Sequence, residues 1–188
     1  MADDNGKLAT SVRRDTSKAA RPRRRDDPDR VVRDLMSGDL ETRERAEADL
    51  SHDGTQFVPS LLRVLTKGDA HQRATSVRIL SAIHDPSIAP TLTRALDDDD
   101  VSVRWEAGRG LIALGRSGIT TALHALITHQ LPAPQLKASI RQVLLGVDDE
   151  GLKDILTPVL RALEHHVPDE ELMVTAYKAI AILADREP

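Results

Sequence analysis

The chain has 188 residues, 40% of them hydrophobic, a formal net charge of −4 and no cysteine. Disulfides, thiolate metal sites and cysteine nucleophiles are thereby excluded, and no apolar run is long enough to span a bilayer. With one Trp, one Tyr and one Phe, a core must come from Leu, Ile, Val and Ala, which suits packed helices better than sheets.

Charge is unevenly placed. Residues 1–27 carry eight Lys/Arg against five Asp, so this arm is about +3 and the remainder about −7. Its only sizeable apolar residues are Leu8 and Val12, too few to offset the entropy of ordering, and we expect disorder over 1–27. The run Arg21, Arg23, Arg24 and Arg25 offers a contact for an acidic surface or a phosphate backbone, blunted by Asp26, Asp27 and Asp29. A folded domain is expected over 28–188. It opens with half a unit at 29–37, a single helix whose Val31, Val32, Leu35 and Met36 face inward.

From residue 39 the chain repeats itself. Asp39, Asp69 and Asp100 each stand four residues before an arginine: Arg43, Arg73 and Arg104. Three residues beyond comes a small residue (Ala46, Ser76, Ala107), and four beyond that a leucine (Leu50, Leu80, Leu111). Spacings of three and four fall on one helical face, and the Asp is a strong N-cap. A second helix type follows each of these first helices. Its columns are Phe57/Ile88/Ile119, Leu61/Leu92/Leu123 and Leu65/Leu96/Ile127, with Pro59 and Pro90 in the first turn, where a missing N–H costs little. Looser copies place Lys137, Ile140 and Leu144, then Met173, Ala176 and Ile180, in the first-helix columns, with 155–163 as the second helix between them. About four and a half helix pairs therefore fit between 39 and 185. A period near 31 with repeated apolar columns predicts an all-α solenoid, an α-α superhelix.

These columns resemble HEAT-like repeats, of the short form also found in phycobilisome lyases, strongly over 39–127 and loosely over the rest of 29–185. In such repeats the Asp and Arg form hydrogen-bonded ladders between units. The resemblance implies that role for Asp39, Arg43, Asp69, Arg73, Asp100 and Arg104. It also implies that the second helices line the concave face.

No reactive constellation accompanies the repeats. The seven histidines never stand four apart, and His52-Asp53 and His84-Asp85 read as turn and cap residues. We expect no cofactor and no metal. A DNA glycosylase of the HEAT-like type would need an aromatic platform that three aromatic residues cannot supply. The leading expectation is a non-catalytic, cytoplasmic scaffold that binds protein partners. A lyase-type enzyme or accessory, or a nucleic-acid-associated factor using residues 13–25, is the alternative. Two surfaces are candidates for binding. Arg63, Arg94, His124 and Arg161, on the second helices, would form a basic groove. Leu172, Ala179 and Ile182, on the last helix (171–185), would form an apolar interface for self-association, since no further repeat follows to cover that helix.

Overall fold

A computed structural model describes residues 27–50, 54–128 and 133–185. The arm, apart from Asp27, and His52, Asp53 and His129 lie outside the described residues. Ten helices are present among those described: α1 (Pro28–Leu35), α2 (Leu40–Leu50), α3 (Val58–Lys67), α4 (Ala70–Ile83), α5 (Ala89–Ala95), α6 (Val101–Ala113), α7 (Gly115–Thr128), α8 (Pro134–Leu145), α9 (Glu150–Glu164) and α10 (Asp169–Asp185). None is long and apolar enough to cross a membrane.

The helices begin where the sequence supplies caps. Asp69 accepts from the amide of Gln72 at 2.9 Å while the Gln72 side chain accepts from the amide of Asp69 at 3.0 Å, a reciprocal capping box. Asp100 accepts from the amide of Ser102 at 2.8 Å, and Asp39 from that of Thr42 at 2.9 Å. The second helices α3 and α5 are entered through short 3-10 turns, Gly54–Phe57 and Pro86–Ile88. Pro59 and Pro90 sit in the first turns that follow. His84 closes α4 in the left-handed region at φ 55°, and Asp85 then caps the turn by accepting from the amide of Ser87 at 2.9 Å.

Helix pairs stack into one continuous core. The repeating positions Leu61, Leu92 and Leu123 are fully buried, as are Leu80 and Leu111. At about 1.5–3 kcal/mol per buried Leu side chain, these columns carry much of the folding free energy. The first helices α4, α6 and α8 stack in sequence, with the α4–α6 contact the most extensive of all. Gly110 permits that approach: a Cβ there would lie 2.1 Å from Ser81 Oγ. Within the third pair, Gly118 brings α7 onto α6 equally closely, since its Cβ would meet the carbonyl oxygen of Leu111 at 2.1 Å. At the N-terminal end, Val31, Val32 and Leu35 of α1 are buried against α2 and α3.

The last helix breaks the pattern. A fifth first helix should stack on α8, yet α10 lies chiefly against the second helices α7 and α9. Arg116 at the start of α7 donates to the carbonyl of Leu183 at 2.9 Å, so the end of α10 meets the beginning of α7. At its other end, Asp169 accepts a hydrogen bond from Lys137 of α8. Leu172, Ala176, Ala179 and Leu183 are consequently buried.

Candidate functional site

The six Asp and Arg residues of the repeat lie along the edge where second helices end and first helices begin. Each Asp caps its own helix, as described above. Each Arg reaches back to carbonyls left open after the preceding second helix, which lack intrahelical partners. Arg43 donates to the Ser37 carbonyl at 2.7 Å, Arg73 to that of Gly68 at 3.1 Å, and Arg104 to those of Asp98 and Asp99 at 2.8 and 2.9 Å. The bond that crosses from one unit to the next uses a different acid. Arg73 donates to both carboxylate oxygens of Asp98, at 2.7 and 2.8 Å. The Arg73 guanidinium holds that carboxyl below the usual carboxylate range, against the opposing effect of burial. Lys137 and Asp169 make a corresponding pair between the fourth and fifth units. Gln135 of α8 adds a bond to the Asp98 carbonyl at 3.0 Å.

Arg63, Arg94, His124 and Arg161 are exposed, one on each of α3, α5, α7 and α9. Arg63 is turned toward α1, where it donates to Asp29; the Ser60 hydroxyl and the Arg63 guanidinium together hold that carboxyl below its usual range. Arg94 donates to Thr91 of its own helix at 3.3 Å and lines a shallow hollow of about 280 Å³ between α3 and α5. The other three do not line that hollow.

On the last helix, the expectation of an open apolar face is corrected at two of three positions. Leu172 is only 2% exposed and Ala179 is buried, because α10 turns across α7 and α9 and so covers itself. Ile182 is exposed, in company with Val174 and Tyr177, which were not singled out from the sequence.

A larger concavity lies elsewhere. A groove of about 680 Å³ runs between the first helices α6 and α8. Small residues make it: Gly108 on α6, Ala138 and Ser139 on α8, and Gly146 just beyond. The helices touch where Gly108 faces Val143, at 3.3 Å from an added Cβ, and Ile112 leans over Gly146. Val101 and Trp105 form one rim, and Trp105, the only Trp of the chain, is 60% exposed. Arg109 lies over its ring, 4.7 Å from the centroid, a cation–π arrangement. Arg104, Gln135 and Gln142 complete a polar margin, and no carboxylate lines the groove. The groove depends on which small residues of two helices face each other, and repeat spacing alone does not reveal that.

Among the described residues no cluster of three His, Cys, Asp or Glu side chains could hold a metal ion. The site is a mostly apolar groove with a basic margin on a stack of helix pairs. The family model described as HEAT repeats matches residues 58–144, which run from the start of α3 into α8. This stretch is HEAT-like, and it contains the whole of α6 and most of the groove. No curated protein and no solved structure matches the chain.

Proposed function

We propose that the protein is a non-catalytic, protein-binding scaffold that receives its partner in the α6–α8 groove. The observation that carries this reading is the exposed Trp105, stacked under Arg109 on the rim of a mostly apolar groove of about 680 Å³. An exposed Trp is costly to leave in water, and Trp and Arg are the residues most enriched where binding free energy concentrates. A groove between two helices suits an amphipathic helix, whose apolar residues at spacings of three and four would enter between α6 and α8. HEAT-like stacks are commonly used in this way, as rigid platforms for other chains.

Random peptide-display selection on the full-length protein tests the proposal. Peptides should be enriched on the wild type and not on Trp105→Ala, whose side chain is exposed and contributes little to the core. Their binding should shift the emission of Trp105, which reports on this groove alone because the chain has no other Trp. Enrichment indifferent to Trp105 would place docking on another surface and remove the groove reading.

A further inference from the structure

The exposed side of α10 has the chemistry that the groove lacks. Val174, Tyr177 and Ile182 are exposed there, and Tyr177 is 66% so. Together with Lys178, Ala181 and Asp185 they form a stripe at spacings of three and four along the helix. Glu170 and Glu171 extend it at the N-terminal end, and Lys178 is the only cation of α10. This is an acidic, apolar helix face that is exposed among the described residues. The groove, by contrast, offers Arg104 and Arg109 and no carboxylate. Arg104 is occupied by carbonyl oxygens. Arg109 is 60% exposed, with Glu106 at 3.7 Å.

Length and charge order also agree. At about 1.5 Å per residue, the 13 residues of α6 span about 20 Å, and the stripe from Val174 to Asp185 spans about 17 Å. The acidic turn Asp97–Asp100 closes one end of α6, while Arg109 stands two to three turns along it. On α10, Lys178 stands two turns from both Glu171 and Asp185. A seated α10 can therefore bring Lys178 to the acidic turn and a carboxylate to Arg109 in one pose. The chain's own basic arm has the wrong sign for this groove.

We propose that the α6–α8 groove takes the outward face of α10 from a second copy of this chain, joining molecules head to tail. The proposal rests on the groove reading above and names its partner. Because two different surfaces meet, the contact is heterologous: a docked pair leaves one groove and one α10 face free, so assembly grows with concentration into chains or closes into a ring.

Light scattering and sedimentation on the full-length protein, over a wide concentration range, supply the test. The wild type should rise beyond dimer mass as concentration increases. A groove variant (Trp105→Ala with Arg109→Glu) and a face variant (Tyr177→Glu with Ile182→Glu) should each remain monomeric alone. Mixed in equal amounts, they should form a 1:1 dimer and stop there, since only one intact groove and one intact face remain. A groove variant that still dimerises, with the face variant monomeric, would overturn the proposal in favour of α10 pairing with α10. Association that survives both variants but not removal of residues 1–26 would assign it to the arm. A wild type that stays monomeric overturns self-docking outright. That result leaves the groove itself to be judged by the peptide selection, so the two failures are distinguishable.

Discussion

Asp98 accepts from Arg73 through both carboxylate oxygens, and its Oδ1 also accepts from the amide of Asp100 at 2.9 Å. Charge-assisted, bidentate bonds of this kind are stronger than neutral ones and fix geometry as well. Because these bonds depress the folded-state pKa of Asp98, the group adds stability above its unfolded value of about 3.9 and loses it as pH falls through the lower folded value. Asp98→Asn should lower Tm by several degrees at neutral pH, and its urea midpoints should fall less than the wild type's between about pH 5 and pH 2. Thr93 shows the opposite situation. It is 7% exposed, and its Oγ1 has no hydrogen-bond partner among the described residues. Thr93→Val keeps the shape and removes the unpaired hydroxyl, so it should stabilise by up to about 1 kcal/mol in chemical unfolding. At this scale the caps were legible in the sequence, because an N-cap acts within its own turn. Asp98 was not, because its partner lies 25 residues away and the run Asp97–Asp100 does not mark which carboxylate turns toward the neighbouring unit.

At the scale of helices, repeat spacing foretold the pairs through α8, because each apolar column buries against a copy of itself. The direction of α10 escaped it. A helix with apolar residues on two sides fits a stacking place on α8 as well as a seat across α7 and α9, and packing decides between them. Leu183, 1% exposed at the end of α10, helps to anchor that seat. Leu183→Ala should cost about 2–4 kcal/mol, measured by urea unfolding, through the lost transfer free energy and the cavity left behind. The mostly apolar groove belongs to this scale too. Gly108 of α6 and Ala138 of α8 both line it, while the α4–α6 contact is the more extensive of the two.

A stack in which units touch mainly their neighbours has a stability that varies along its length. The α4–α6 contact is the most extensive, whereas Ala46 is the only buried residue of α2. Native-state hydrogen exchange should therefore be slowest in α4 and α6, with α2 opening well below the global unfolding free energy. Equal protection across α2 and α6 would mean that the array unfolds as a single unit. The seat of α10 also bears on how such a chain can lengthen over evolution. Between α4 and α8 every pair presents nearly the same two faces, so a duplicated pair inserted there finds a matching neighbour on each side. A pair added after α10 would meet a helix laid across the stack rather than one aligned with it. Duplication can therefore extend this array from within, and a pair inserted ahead of α6 would leave both the groove and the seat of α10 unaltered.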